Sequence, residues 1–300
     1  MTGNTLGWVI VAFVLYLLMM IAIGAFYAKG NNNSEDYFLG GRKLNGFVAA
    51  LSAQASDMSG WLLMGLPGAI YLTGVGGDGW IAIGLFIGTT LNWLFIATKL
   101  RRYTIRANNS VTLPTYFENR FHDEKKVLMT VSSITIVVFF LVYCASALSA
   151  GGQLFESVFG IDYHVALTIG ALVVLVYTFL GGFTAVCVTD FIQGMLMLVG
   201  ILAVPLFAYH FLTTGGTTLS AGLEASGADS ANFLNLMKNG DGRNNIVSVI
   251  SGLGWGLGYF GMPHILVRFM AVRDEKEMTK SKATAISWVA LSLGFAVFIG

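Results

Sequence analysis

Charge is what this chain of 300 residues has least of. Asp, Glu, Lys and Arg make up 11% of it, against roughly 25% in soluble domains, while hydrophobic residues make up 55%. Water is therefore not its main solvent, and a soluble globular domain is excluded. The net charge of +1 supplies no basic field for a nucleic acid or another polyanion. Cysteine is nearly absent too: Cys144 and Cys187 both lie in apolar runs, with neither disulfide nor metal spacing, and read as packing residues. No nucleophile elbow, phosphate-binding glycine loop or metal-ligand histidine pair occurs, so the residues offer no enzyme chemistry.

Long apolar runs are abundant. They lie near Leu6–Tyr27, Leu44–Leu72, Trp80–Thr98, Val127–Phe159, Val165–Leu180, Val186–Leu212, Ile246–Met270 and Ala283–Gly300, which predicts about eight membrane helices. The first follows Met1-Thr-Gly-Asn4 without the basic segment and cleavage site of a signal peptide, so it stays as a helix. The fifth is short for a span and is followed at once by Gly181-Gly182.

The basic residues test that count. Fifteen of the 17 fall in three connections: Lys29, Arg42 and Lys43; then Lys99 to Lys126; then Arg268 to Lys282. With eight helices all three share one face, and the positive-inside rule makes that face cytoplasmic and the N-terminus extracytoplasmic. Without the fifth helix the third cluster would fall on the wrong side. The Gly-, Ser-, Thr- and Asn-rich segment Thr213–Arg243 becomes an extracytoplasmic linker or lid, with no sizeable folded domain.

Two of the runs are interrupted. Leu51-Ser-Ala-Gln-Ala-Ser-Asp-Met-Ser-Gly-Trp61 places small and polar residues and the carboxylate of Asp57 at membrane depth, where charge is costly and usually functional. Lipid cannot hydrogen-bond an opened backbone, so such a break survives only in packed protein or beside a polar cavity. The second break is Ser251-Gly-Leu-Gly-Trp-Gly-Leu-Gly-Tyr-Phe-Gly-Met-Pro-His264, where glycines weaken the helix and Pro263 removes a backbone donor. The breaks lie in the second and seventh helices, an odd offset, so the two helices cross in opposite senses. Paired breaks of opposite sense mark an inverted-repeat secondary transporter, with solute and ion between the broken helices.

At these residues the chain resembles the solute:sodium symporter family, most closely its proline-transporting branch. The resemblance is carried by Asp36-Tyr-Phe-Leu-Gly-Gly-Arg42, Leu51 through Gly68, Tyr143-Cys-Ala-Ser146 and Gly254 through Met270. It implies the LeuT-like fold of two inverted five-helix repeats: an extra first helix at 6–27, a first repeat at 44–212 and the start of a second at 246–300. It also implies sodium-coupled uptake of proline across the cytoplasmic membrane. The family's later helices, which carry the hydroxyl ligands of its sodium site, lie beyond this chain, which reads as the N-terminal part of such a symporter.

Carried over residue by residue, the resemblance assigns sodium to backbone oxygens of Ala55 and Met58, with Asp57 governing sodium dependence. Ser59, Gly60, Tyr143, Trp255, Tyr259 and Pro263 are assigned to the solute. Met262 stands where comparable members have a glutamine, which leaves another small solute open as substrate. A transporter-like sensor domain fused to a kinase is the alternative from another class.

The residues themselves leave alternatives. Unwound carbonyls suit sodium, a hard cation, but Asp57 could also be satisfied by adjacent backbone as at an N-cap. Trp255 and Tyr259, four apart, share a helical face as pocket wall or as packing. Asp190 is either a wetted helix-end acid or a waypoint on the ion path. Arg42 either anchors at headgroups or pairs with such an acid in an inner gate. His122 and His264 have no ligand-like companions and read as ordinary polar residues.

Overall fold

A computed structural model describes the backbone of residues 3–300 and the side chains of residues 7–300; Met1 and Thr2, the terminus whose side was predicted, lie outside the described residues. Among the described residues every named element is helical. Five helices among these residues are long and apolar enough to cross a membrane: Gly7–Ala28, Val75–Arg106, Val127–Phe159, Tyr163–Thr214 and Glu275–Ile299. A sixth span is the bent pair Ile246–Gly261 and Pro263–Ala271, which meet at 46°.

The remaining two of the eight predicted spans come from a break and a reversal. At 1.5 Å per residue the 52 residues of Tyr163–Thr214 would reach about 78 Å, more than twice a bilayer's hydrocarbon core. The helix is interrupted at Gly182 (φ 60°, ψ −158°), a conformation open to glycine and strained for other residues. The chain reverses there: Tyr177 and Gly181 lie against Gly24 of the first span, whereas Gln193 lies back at Tyr16. Tyr163–Gly181 and the helix after Gly182 are thus the fifth and sixth spans. The second span runs Gly46–Gly60, Trp61–Gly65 and Leu66–Thr73, broken at Ser59.

Local chemistry sets the helix starts. Asn45 accepts the Val48 N–H at 2.9 Å to open the second span, and Asp162 caps the fifth through His164 and Val165. Asp274 caps the eighth by accepting the Glu277 N–H at 2.8 Å, a bond that holds its carboxyl below the ordinary aspartate range.

The three basic connections meet at one end of the bundle. Arg42 donates to the Met270 and Ser110 carbonyls, each at 2.8 Å. Arg101 donates to the Val272 carbonyl at 2.6 Å, and Arg102 forms a two-pronged pair with Glu275. The positive-inside parity therefore has a physical counterpart. At the opposite end the segment expected to be a linker carries two short helices, Leu219–Ala225 and Ser230–Phe233, and is docked. The Gly240 N–H donates to the Thr73 carbonyl at 2.9 Å and the Trp80 indole to the Leu236 carbonyl at 2.7 Å.

Between these ends Trp93 packs edge-on against Phe269 at 4.3 Å, with Leu62, Leu66, Met270 and Val289 fully buried around them. The fourth span instead exposes Val131, Ile134, Val138, Leu141 and Val142. Cys187 is buried as expected, but Cys144 is exposed on that span, which corrects its reading as a packing residue.

Candidate functional site

The two predicted breaks face each other across a cavity of about 690 Å³, within the range of small-molecule sites. Its wall includes Asp57, Met58, Ser59, Gly60 and Trp61 from the second span, Tyr143 and Ala147 from the fourth, and Trp255, Tyr259 and Met262 from the seventh. Seven of the residues assigned from sequence thus come together: Asp57, Met58, Ser59, Gly60, Tyr143, Trp255 and Tyr259.

Ser59 takes φ 40°, ψ −153°, a conformation that costs a non-glycine residue on the order of 1–3 kcal/mol. The helix restarts immediately after it, so the N-terminal end of Trp61–Gly65 opens on the cavity, where an anion is favoured. The Tyr259 hydroxyl donates to Asp57 Oδ2, joining the two broken helices at the cavity. Tyr143 donates to the Ser56 carbonyl at 3.1 Å. The Met58 carbonyl accepts the Trp61 N–H and retains a second lone pair. Trp61 and Trp255 stack at 5.8 Å and 21°, one from each break.

Four assigned residues lie elsewhere. Ala55 is buried and faces Gly194 of the sixth span, away from the cavity wall. Pro263 lines a second cavity, on the side of the basic end, and not the first. Tyr259 and Pro263 would share a face in an α-helix, but Gly256–Gly261 is a 3₁₀ turn and Met262 is extended (φ −75°, ψ 107°), so the face rotates between them.

Arg42 and Asp190 are the other two. Arg42 is held by the two carbonyls, by Thr104 and Asn109, and by Glu35 at 3.5 Å, and it anchors neither at headgroups nor on Asp190. Burial depresses its pKa below the usual arginine value, against the opposing pull of Glu35. Asp190 is not a wetted helix-end acid: it is 8% exposed and pairs with Arg268 at 2.8 Å. Ser52 and Ser56 donate to the same carboxylate at 2.7 and 2.9 Å, and Arg268 donates to both serines. Sequence reasoning missed Arg268 because it counted it among the charges of the third connection. It also missed His264, whose Nε2 lies 3.6 Å from Asp57 Oδ1.

A helical membrane bundle with two opposed broken helices around a small cavity is the architecture of an inverted-repeat transporter. Residues 37–300 match the model of the Sodium:solute symporter family, and the chain belongs to that family. It is 45% identical over 291 residues to the sodium/proline symporter of Salmonella typhimurium, covering 97% of this chain and 56% of that protein. It is 46% identical to the sodium/proline symporter of Haemophilus influenzae, over 97% and 57%. The chain thus spans little more than half the length of these curated relatives. Its fold is similar to that of a Na+-coupled sialic acid symporter in a substrate-bound outward-open state, with a TM-score of 0.76 at 21% identity, covering 95% of this chain and 58% of that one. The protein is accordingly a multi-pass membrane protein of a transporter family rather than an enzyme.

Proposed function

We propose that this chain supplies the solute and sodium half-site of a symporter that takes up L-proline with sodium. The observation that carries the reading is the cavity between the two broken helices, which joins one carboxylate, a helix N-terminus and aromatic walls. Proline needs little more. Its carboxylate suits the N-terminal end at Ser59, Gly60 and Trp61, and its apolar ring suits Tyr143, Trp255 and Tyr259. Carbonyls of Ala55 and Met58, flanking Asp57, offer oxygen to a hard monovalent cation without burying a second charge. An inward sodium gains about 2.3 kcal/mol per 100 mV of membrane potential, which is the drive for accumulation. Residues 6–27 are then a helix outside the repeats, 44–212 the first repeat and 246–300 the start of the second. Arg268 and Asp190 close the inner side beneath the cavity, with Arg42 tying the second and seventh spans together at the basic end.

Asp57→Asn removes the charge while keeping size and an acceptor for Tyr259. Made in the full-length symporter that contains this chain, the change should raise the sodium concentration for half-maximal proline uptake about tenfold or more, equivalent to about 1.4 kcal/mol, at unchanged protein abundance. An unaltered sodium dependence would make Asp57 a structural residue.

The basic end is proposed to be cytoplasmic and the N-terminus extracytoplasmic. In a variant free of the native cysteines, Ser226→Cys should react with a membrane-impermeant thiol reagent in intact cells, and Lys125→Cys only after permeabilisation. The reverse pattern sinks this orientation.

A further inference from the structure

The polar side chains around the solute cavity are mostly spent within the protein. Asp57 and Tyr259 bond to each other, and the Tyr143 hydroxyl is held by the Ser56 carbonyl. The apolar wall that remains includes three methionines, Met58, Met64 and Met262. They come from both breaks. Met58 precedes Ser59, Met64 lies on the helix that restarts after it, and Met262 follows the 3₁₀ turn of the seventh span in extended backbone.

Their freedom differs. Met58 is 1% exposed and packed into the core, so its thioether is a fixed part of the wall. Met64 is 47% exposed, and its terminal methyl folds back over Gly60, 3.6 Å from where a β-carbon there would stand. It therefore covers the end of the cavity proposed for the carboxylate. Met262 is half-buried at the edge of the core and stands on the same span as Trp255 and Tyr259, the side proposed for the ring.

A methionine is unbranched, turns about three bonds and ends in a polarisable thioether that packs well on aromatic rings. A wall built this way follows the outline of a ligand instead of fixing it, which is why methionines recur on surfaces that accept several partners. A β-branched residue in the same place would hold one shape. Size discrimination in apolar pockets is modest to begin with, since one methylene too many is rejected by only roughly 10–200-fold. A side chain able to retract weakens it further. The cavity is also roomy: its volume of about 690 Å³ lies in the range that holds drug-sized ligands, and proline is far smaller.

We infer that the substrate class of this site is cyclic secondary amino acids, six-membered rings included, and that Met262 sets the limit on ring size. This rests on the transport reading and deepens it. The carboxylate end is common to the whole class, so the additional methylene of a larger ring falls on the seventh-span side, where Met262 gives way. A phenylalanine there cannot retract and should exclude the larger ring; an alanine leaves more room for it.

The test uses the full-length symporter that contains this chain, reconstituted in vesicles with a sodium gradient, and compares labelled L-proline with labelled L-pipecolate, its six-membered homologue. Pipecolate should be accumulated with a kcat/KM within about tenfold of that for proline, and unlabelled pipecolate should compete for proline uptake. Met262→Phe should shift the ratio of the two towards proline by about tenfold or more, and Met262→Ala should shift it towards pipecolate. The ratio is taken on one protein, so changes in abundance or folding cancel. Discrimination against pipecolate well beyond tenfold in a parent that carries proline overturns the inference and leaves the transport reading standing. A ratio that stays at the parent value in both variants overturns the assignment to Met262. Accumulation of neither substrate by a folded parent refutes the transport reading, and the inference with it.

Discussion

Arg268→Ala, made in the full-length symporter that contains this chain, should yield a protein that melts far below its parent in detergent and carries no proline. Asp190, Ser52 and Ser56 form one buried network around the guanidinium, and the carboxylate receives its only charged partner from Arg268 at 2.8 Å among the described residues. Removing one member of a buried pair leaves the other charge uncompensated, at about 3–5 kcal/mol. Arg268→Lys should recover only part of that loss, because a single ammonium cannot reproduce the fork that spans both serines and the carboxylate. Arg268→Met combined with Asp190→Leu removes both charges at similar volume and should restore the melting temperature without restoring transport. An Arg268→Ala protein as stable as its parent would show that the pair is not buried. The contrast between the double variant's recovered stability and its lost transport separates the ion pair's contribution to folding from its proposed place beneath the cavity.

What was legible in the chain follows from what lipid forbids. Asp57 and the clustered glycines before Pro263 stand out because a bilayer tolerates neither a charge nor an open backbone without compensation, and both breaks lie where that reasoning put them. The shared face of the basic clusters was legible for a similar reason, since charge beside an apolar span reports the water side. The partners of Arg42, Asp190 and His264 were not legible. Arg268 belongs by sequence to a loop cluster and by structure to the interior, since the helix Pro263–Ala271 carries its side chain back onto Ser52 and Ser56. Only tertiary packing decides that. Pro263, assigned by resemblance alone, lines the cavity on the basic side, because Gly256–Gly261 is 3₁₀ and Met262 extended and the face turns between Tyr259 and Pro263. Of the two readings of Asp190 the wetted helix end falls, because the reversal at Gly182 starts the sixth span well before it and leaves the residue in the interior.

The position of the seventh span's break depends on the absence of side chains at four sites, and Gly88→Leu should therefore destroy the cavity. A β-carbon at Gly84 would collide with the backbone of Gly252, and one at Gly88 with that of Gly256, so the third and seventh spans touch backbone to backbone over a full turn. Neither glycine on the third span has a positive φ, so the requirement there is for space and not for an unusual conformation. Overpacked cores usually lose about 1–3 kcal/mol, and this site falls at or above the upper end because a helix backbone cannot yield as a flexible side chain does. Forcing the spans apart would also break the bond from the Asn92 amide to the Tyr259 carbonyl, 2.8 Å, which holds the 3₁₀ turn in place. Tyr259 would then withdraw from Asp57 and Trp255 from Trp61, opening the wall proposed for the proline ring. Gly254→Ala is the matched control: it lies in the same turn of the seventh span, but a β-carbon there meets nothing within 4 Å. In detergent, Gly88→Leu should melt well below the parent and become sensitive to limited proteolysis near the break, while Gly254→Ala stays within about 1 kcal/mol of it. If Gly88→Leu melts with the parent and Gly254→Ala does not, the third and seventh spans do not meet as described, and the cavity between the two breaks loses its outer wall.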